Sequence, residues 1–399
     1  MTVFAELATP IPNDLIEDFV KRLAYVSQGI SNARLVPGAR RVVFDVRPAF
    51  ETRTDQIAAA IREIAEKLCL NYRPGGVKTL ARSDKLPSSF DADPHSLLER
   101  EGELVAFGRG RYAFGPRLVA LMEAFDVRIR EIAATFRAPA YTFPSLIGAD
   151  LLDRCRYFSN FPASLTLVSH LREDHQSLQQ FARSAHWDGT QLACDAAALS
   201  GVECLLSPAV CFHLYACLSR SILPSPRVVT AVGKCFRYES SNLSGLERLW
   251  DFTMREIIFV GPRHYVLRQR EVCVEACVQL LDELRLAYEI TAATDPFFVD
   301  TYAAQAAYQQ GFDLKFELLL PLPYNGRTLA AGSINYHQDF FGRSFDIQVD
   351  GAAAHTGCLA FGLERLVLAF VAQHGIDETH WPDVVTRRMR AERAANSLA

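Results

Sequence analysis

The sequence predicts an α+β protein, because helix-type and strand-type patterns alternate along the chain without an obvious repeat. Residues 116–136 place apolar side chains at helical spacing, which predicts one long amphipathic helix. Residues 233–261 contain two strand-like runs on either side of a polar loop, and strands joined in this way are expected to pair antiparallel. We therefore expect a sheet with antiparallel strands and a long helix beside it.

Residues 1–82 predict a small α+β unit of their own. A first helix is followed by a β-branched strand at residues 41–47, and a second helix follows the capping sequence of residues 52–55. Residues 83–96 are rich in proline, serine and aspartate, which is typical of a linker. The remaining residues, 97–399, then form one large domain.

The composition favours a protein of the cytoplasm. The net charge of -4 gives no electrostatic footprint for a large nucleic-acid backbone. No apolar run approaches the roughly 20 residues that span a bilayer, and the N-terminus lacks the pattern of a signal peptide. The ten cysteines form no CxxC pair, and several lie in apolar stretches, so we interpret them as free thiols.

The segment of residues 233–261 carries side chains suited to binding a nucleotide. Arg237 and Glu239 are two residues apart, so their side chains are expected to project together. By the same rule, Phe252 and Glu256 share one face of the second strand. A guanidinium can bind a phosphate with two bonds, a carboxylate can accept from an adenine amino group, and a ring can stack on the base. A solvated hairpin with surface ion pairs is the alternative that this segment leaves open.

A second segment, residues 359–370, predicts a helix that begins after Gly362 and has Arg365 in its first turn. A glycine at that point allows another backbone or a ligand to approach closely. On its own, the pattern is more typical of an ordinary buried helix.

In this order the two segments resemble motifs 2 and 3 of the class II aminoacyl-tRNA synthetases. The helix of residues 116–136, the strand-like run APAYTFP that follows it and Pro144 resemble motif 1. The resemblance covers residues 97–370. It implies an antiparallel sheet flanked by helices and a homodimer formed through motif 1, with Arg237 and Arg365 as catalytic residues. The residues that it implies for ATP binding are Arg237, Glu239, Arg248, Leu249, Phe252 and Arg365.

The resemblance also implies a role for each of these side chains. Arg237 would hold the α-phosphate of ATP and Glu239 the adenine amino group. Phe252 would stack on the base, while Arg248 and Arg365 would bind the outer phosphates.

Within this class, the runs FTMREIIFVG and SINYHQDFFGRSF look like the amino acid:[carrier protein] ligases, which are related to the atypical zinc-dependent seryl-tRNA synthetases. The resemblance implies one zinc ion held by Cys211, Glu256 and Cys358, with a fourth position open for the substrate amine. Without it, both cysteines would be interpreted as core residues, because no local metal motif is present. His213 and His355 are competing ligand candidates. The residues implied for amino-acid binding are Glu256, Ser333 and Asn335.

The resemblance implies a ligase reaction in two steps. ATP activates a small amino acid (glycine or alanine, with serine possible) to an aminoacyl-adenylate, and the phosphopantetheine thiol of a carrier protein then accepts the aminoacyl group. Magnesium is implied with ATP. Leu329 stands where this class usually has an acidic magnesium ligand, and Glu317 is the alternative.

The preference for a carrier protein over tRNA depends on what the sequence lacks. The residues after 370 are too few for an anticodon-binding domain of the usual size, and residues 1–82 have no heptad pair for a tRNA-gripping coiled coil. An acidic carrier needs a basic face, for which the arginines of residues 262–312 are candidates. Two alternatives stay open: a seryl-tRNA synthetase-like enzyme that charges tRNA, and a non-catalytic paralogue that binds an amino acid or a partner.

Overall fold

The structure is a computed structural model that describes residues 1–69, 78–88, 90–243, 245–293 and 313–396. Its α-helices are α1 (Ile16–Leu23), α2 (Thr54–Cys69), α3 (Pro94–Arg100), α4 (Pro116–Thr135), α5 (Ala149–Arg154), α6 (Tyr157–Asn160), α7 (His175–Ser184), α8 (Cys211–Cys217), α9 (Arg263–Glu283), α10 (Phe340–Phe345), α11 (Leu363–His374) and α12 (Asp383–Asn396). Short 3-10 helices cover Asn13–Leu15, Pro48–Arg53, Pro162–Ser164, Ala196–Ala198, Ser240–Asn242 and Glu378–His380.

The strands are β1 (Thr2–Glu6), β2 (Ile30–Leu35), β3 (Arg41–Val46), β4 (Thr79–Ser83), β5 (Leu104–Ala106), β6 (Tyr112–Phe114), β7 (Ala140–Tyr141), β8 (Leu146–Gly148), β9 (Leu167–Val168), β10 (His186–Trp187), β11 (Leu192–Ala193), β12 (Cys204–Leu206), β13 (Ser221–Leu223), β14 (Arg227–Phe236), β15 (Asp251–Gly261), β16 (Tyr288–Ala292), β17 (Lys315–Leu322), β18 (Arg327–Gln338), β19 (Ile347–Val349), β20 (Ala352–Ala353) and β21 (His355–Gly362).

The large domain is built on an eight-stranded sheet with the strand order β4-β16-β17-β18-β21-β15-β14-β7. Neighbouring strands are antiparallel except at one edge, where the short β7 pairs parallel with β14. The predicted α+β class, with an antiparallel sheet flanked by helices, is therefore confirmed.

Helices cover both faces of the large sheet. On one face, α4, α9 and α11 pack against the sheet around Phe259 and Phe361. On the other face, α8 and α10 contribute Tyr215 and Phe345. A strand that is covered on both faces is expected to be a continuous apolar run, as Ile257–Val260 of β15 is.

The helix predicted over residues 116–136 is α4, and Pro116 occupies its first turn, where a missing N–H breaks no helical bond. The C-terminal helix α12 packs along α4. Met389 of α12 is fully buried, and Arg388 donates to both carboxylate oxygens of Glu131. This helix is thus part of the core of the large domain.

The N-terminal unit contains a three-stranded antiparallel sheet with the order β1-β3-β2. Helices α1 and α2 pack on one face of this sheet and enclose Phe19 and Phe44, which are fully buried. Among the described residues, none of the helices combines the length and the apolar character needed to span a bilayer.

The structure differs from the predicted domain boundary at one strand. Residues 79–82, which we assigned to the unit of residues 1–82, form β4 together with Ser83, which we assigned to the linker, and β4 lies at the edge of the large sheet. There Ala81 pairs with Ile290, so the backbone hydrogen bonds of β4 belong to the large domain. This pairing joins residues far apart in sequence, which is why local patterns did not reveal it.

Candidate active site

The predicted nucleotide site lies around the polar loop that joins β14 to β15. The two strands pair along their full length, which fixes the ends of the polar loop between them. Arg237 directly follows β14, and its Nε donates to the carbonyl of Pro208 at 3.0 Å. The guanidinium carbon of Arg237 lies 5.5 Å from the ring centre of Phe252 on β15. These two predicted ATP-binding side chains are therefore neighbours.

Glu239 interacts with an arginine group that consists of Arg237, Arg248 and Arg365. Arg248 Nη1 donates to Glu239 Oε2 at 2.9 Å. Burial raises the pKa of Glu239, but the positive charges of the arginine group outweigh this effect, and the net pKa is lowered. The carboxylate is consequently ionised at neutral pH and can only accept hydrogen bonds, which suits an adenine amino group.

Arg365 lies in the first turn of α11, directed towards the loop between β14 and β15. Its Nε donates to the carbonyl of Glu247 at 3.0 Å and its Nη1 to that of Ala330 at 3.2 Å. Burial, and then the charge of Arg248, lowers the pKa of Arg365 to about 10, so it stays charged at neutral pH. Several cations held together with one carboxylate are suited to a ligand with several negative charges.

Glu364 and Leu249 are next in the chain to Arg365 and Arg248 of the predicted nucleotide site. Glu364 is buried, and its Oε1 accepts from both Thr253 N and Thr253 Oγ1 at 2.8 Å, which ties the start of α11 to β15. The sequence did not suggest this role, because Thr253 is remote in the chain. Leu249 packs into the apolar core next to the loop, and its predicted contact with ATP stays a prediction.

Cys211, Glu256 and Cys358 come from three different elements and meet in the interior; we call them the thiol–carboxylate cluster. The three side chains are close enough that Cys358 and Glu256 both act on the ionisation of Cys211. None of the three is more than 4% exposed. Glu256 Oε1 accepts from the N–H of Val210 at 3.2 Å, whereas Glu256 Oε2 is buried without a hydrogen-bond partner among the described residues. A buried oxygen of this kind is costly unless a donor or a cation binds it.

The pKa shifts in the cluster follow from the interactions among its members and from their burial. The interaction between the two sulfur groups raises the pKa of Cys211 and lowers that of Cys358. Burial, and then the charge of Cys358, raises the pKa of Glu256 to about 8. In the part of the chain that the structure describes, no group of three or more His, Cys, Asp or Glu side chains has the arrangement of a metal site. The predicted zinc donors are neighbours, and the zinc ion stays a prediction.

The other predicted amino-acid-binding residues lie on β18 next to this cluster. Asn335 is opposite Cys358 in the sheet, and Ser333 is opposite Ala360. Asn335 Nδ2 donates to Ser333 Oγ at 2.9 Å and to Cys358 Sγ at 3.4 Å. The structure thus brings the predicted amino-acid pocket and the predicted zinc donors into direct contact.

His337 is a neighbour of the cluster that the sequence reasoning missed. Its Nε2 lies 3.9 Å from Cys358 Sγ, and its Nδ1 lies 3.1 Å from Thr356 Oγ1. Because side chains two residues apart in a strand share a face, the spacing from Asn335 could have suggested it.

The two histidines considered as competing ligands have other partners. His213 Nε2 lies 3.1 Å from the carbonyl of Leu146, and burial lowers the pKa of this histidine. His355 Nδ1 lies 2.6 Å from the hydroxyl of Tyr336. These contacts favour a structural role for both.

Leu329 and Glu317, the two positions considered for the magnesium ligand, have different surroundings. Leu329 is buried opposite Leu320 in the sheet, in keeping with its apolar side chain. Glu317 lies on β17 opposite Ser333, and its charge acts on Arg365. Lys315 forms an ion pair with Glu317 at 2.8 Å, so the carboxylate already has one cationic partner.

The candidates for a basic face include the arginines of α9. Arg270 on α9 points inward, where it donates to the carbonyl of Asp313 and lies 5.6 Å from the ring centre of Tyr336. Residues 294–312 lie outside the described residues.

Comparison with known proteins agrees with this fold. The tRNA synthetase class II core domain (G, H, P, S and T) matches residues 202–374. The crystal structure of A. aeolicus tRNASec in complex with M. kandleri SerRS has a similar fold, with a TM-score of 0.71 and 20% identity, over 98% of this chain and 78% of that one. The chain therefore has the fold of the class II aminoacyl-tRNA synthetase core domain. Proteins of this class use Mg²⁺ with ATP.

Sequence relatives narrow the class to a family. The chain is 32% identical to amino acid–[acyl-carrier-protein] ligase 2 of Bradyrhizobium diazoefficiens over 319 residues, which cover 76% of this chain and 90% of that one. The type-2 serine–tRNA ligase of Methanopyrus kandleri is 26% identical over 401 residues, with 95% of this chain and 73% of that one covered. The chain belongs to the amino acid–[acyl-carrier-protein] ligase family, related to the type-2 serine–tRNA ligases, and is a ligase.

Proposed function

We propose that this ligase activates a small amino acid, glycine or alanine, with ATP and transfers it to the phosphopantetheine thiol of a carrier protein. The observation that carries the proposal is the proximity of the arginine group to the thiol–carboxylate cluster. Strand β15 connects them, because Phe252 borders the arginine group and Glu256, on the same strand, belongs to the cluster. A nucleotide and an amino acid bound in these two places would meet along one strand.

In the first step, the carboxylate of the amino acid would attack the α-phosphorus of ATP, and pyrophosphate would leave. The arginine group meets the negative charge on the phosphates, so positioning and electrostatics supply most of the rate enhancement. The attacking carboxylate is already ionised, and no protein base is required. Glu239 would hold the adenine amino group, and Phe252 would stack on the base.

We also propose that the thiol–carboxylate cluster holds one zinc ion. Two thiolates and a carboxylate are zinc donors that leave a fourth position open. The unpartnered Oε2 of Glu256 supports a cation at this point. With an ion held by these three residues, the open position would suit the deprotonated amine of the substrate, and acids without an amine would be rejected. Asn335, which donates to Cys358, would keep that sulfur oriented.

The proposal of a small substrate rests on the resemblance to carrier-protein ligases and on the packing around the cluster. Glu256 and Cys358 are almost completely buried, and Met254 and Ala360 pack in a core next to them. A tightly enclosed amine position favours glycine or alanine over larger amino acids.

In the second step, an acceptor would attack the carbonyl of the adenylate, the bond to the phosphate would break, and AMP would leave. The name of the Bradyrhizobium relative supports a carrier protein as this acceptor. The similarity to a type-2 serine–tRNA ligase over 95% of this chain makes tRNA the second candidate. A homodimer through motif 1 is also proposed, because β7 lies at the sheet edge and Tyr141 on it is exposed.

Exchange of labelled pyrophosphate into ATP, measured with each proteinogenic amino acid, tests the first step. We expect exchange with glycine or alanine. For the second step, carrier protein with its phosphopantetheine arm, carrier protein without the arm, and tRNA are each added to the labelled adenylate. Label is expected on the carrier with the arm only. Transfer to tRNA alone would replace the carrier as acceptor, and no exchange with any amino acid would favour the non-catalytic paralogue.

Metal analysis of the purified protein tests the zinc proposal independently of activity. We expect about one zinc ion per chain in the wild type. Cys358→Ser should lose it, while the control Cys217→Ser, which changes an exposed thiol, should keep it. A wild-type protein that is free of zinc and still forms the adenylate would contradict the proposal.

A further inference from the structure

The C-terminal end of α1, in the N-terminal unit, contacts the loop that carries Glu239. The last carbonyl groups of a helix have no partner within the helix and need donors from elsewhere. Asn242 Nδ2 donates to the carbonyl of Lys21 at 3.0 Å. Ser240 Oγ donates to the carbonyl of Ala24 at 3.4 Å. Side chains of the loop therefore complete the end of α1.

A further contact lies on the other side of Glu239. The hydroxyl of Tyr25, which follows α1, donates to the carbonyl of Tyr238 at 3.2 Å. Burial, and then the charge of Glu239, raises the pKa of Tyr25, in keeping with their proximity. The residues immediately before and after Glu239 are thus both bound to the N-terminal unit.

The backbone of the loop needs such support. Ser240 has a φ of 52°, in the left-handed region that residues other than glycine adopt only at a cost. Conformations of this kind persist when the surrounding contacts determine them. The hydrogen bond from Ser240 to Ala24 is one of these contacts, and it comes from the N-terminal unit.

We propose that the N-terminal unit is a positioning element of the nucleotide site, which holds the loop so that Glu239 faces the 6-amino group of a purine nucleotide. Tyr25, Ser240 and Asn242 are positioning residues, since they act through Glu239. The inference rests on the role of Glu239 in the proposed function. It is tested by measuring nucleotide binding, which does not require ligation. A loosened loop should weaken the binding of ATP more than that of a purine nucleotide without the amino group.

The test compares the dissociation constants of ATP and of purine riboside triphosphate, which lacks the 6-amino group. In the double variant Tyr25→Phe/Asn242→Ala, we expect the dissociation constant of ATP to rise about fivefold and that of the analogue to stay unchanged. Hydrogen exchange of residues 238–243 should become faster. The matched control is Tyr288→Phe, whose hydroxyl bonds to Asp282 far from this loop and whose loss should change neither constant.

Two outcomes would overturn the inference. A folded double variant with unchanged discrimination between the two nucleotides would do so, and so would an equal loss of affinity for both, which indicates a general structural role. If thermal unfolding shows that the double variant does not fold, Tyr25→Phe alone decides, with a smaller shift expected in the same direction. A wild type that discriminates between the nucleotides but forms no adenylate would overturn the proposed function alone.

Discussion

The eight-stranded sheet and the sheet of the N-terminal unit differ in whether they bury charged side chains. The eight-stranded sheet buries Arg255 and Glu256 within β15, and Glu364 is buried at the start of α11 next to it. In the three-stranded sheet and the two helices of the N-terminal unit, every charged side chain that the structure describes is at least partly exposed. Burying a charge costs several kcal/mol unless it is paired, so buried charges persist where the fold or the chemistry requires them.

This difference indicates how each region contributes to the site. The large sheet contributes the buried charged side chains that we propose to bind ligands or to hold those that do. The N-terminal unit contributes contacts at the end of one helix, where Lys21 and Ala24 offer carbonyl groups to the loop. Substitution of charged residues should therefore have large effects in the large sheet and small effects in the N-terminal unit.

The largest effect is expected for Arg365→Ala. This change removes a cation that two backbone carbonyls hold and that we propose to bind the phosphates, so adenylate formation should fall by about 10²–10³-fold. Pyrophosphate exchange measures it. The control is Arg327→Ala, which removes an exposed arginine that pairs with Glu247 near the same loop and should have little effect. Equal losses in both variants would argue against a specific role for Arg365.

The next effect concerns the buried ion pair between Arg255 and Asp126, which joins β15 to α4. Arg255 is 4% exposed and donates to both carboxylate oxygens of Asp126 at 2.7 Å. Arg255→Ala leaves that carboxylate without its main partner, so the free energy of unfolding should fall by about 3–5 kcal/mol. Denaturant unfolding measures it. Arg255→Met/Asp126→Leu should recover part of the loss, and a loss below about 1 kcal/mol for Arg255→Ala would show that burial adds little here.

The sequence predicted what depends on local spacing. The helix α4, the strands β14 and β15, and the alternation that puts Phe252 and Glu256 on one strand follow from short patterns. The convergence of Cys211 with Cys358 came only from the family resemblance, because no local spacing encodes it.

Several contacts between residues far apart in the chain were not predicted from the sequence. The bond from Thr253 to Glu364, the approach of His337 to Cys358 and the docking of α1 on the loop each join segments far apart in the chain. The position of β4 in the large sheet is of the same kind. Such contacts depend on strand order, which hydrophobic periodicity does not specify.

A smaller effect should appear in the pH dependence of stability, and it should come from the large domain, since residues 1–69 contain no histidine. His374 is buried at the end of α11, with Nε2 2.9 Å from the carbonyl of Leu284, and burial lowers its pKa. The unfolded chain, with a histidine pKa of about 6.5, then binds more protons than the folded one as the pH falls. Stability should decline below about pH 6.5, and urea unfolding of His374→Gln should show a weaker decline. An identical slope in the variant would assign the effect to other groups.

The smallest effect is expected for Arg41→Ala, on the exposed face of the N-terminal sheet. Arg41 pairs with Glu6 at 2.5 Å and lies 5.0 Å from the ring centre of Phe4, but both charged side chains are about half exposed. Solvent screens an exposed pair and the stacked ring adds little, so the free energy of unfolding should change by less than about 1 kcal/mol. The dissociation constant of ATP should not change. If nucleotide binding or transfer to the acceptor were impaired, this open face would belong to a functional site, and the contrast between the two sheets would no longer hold.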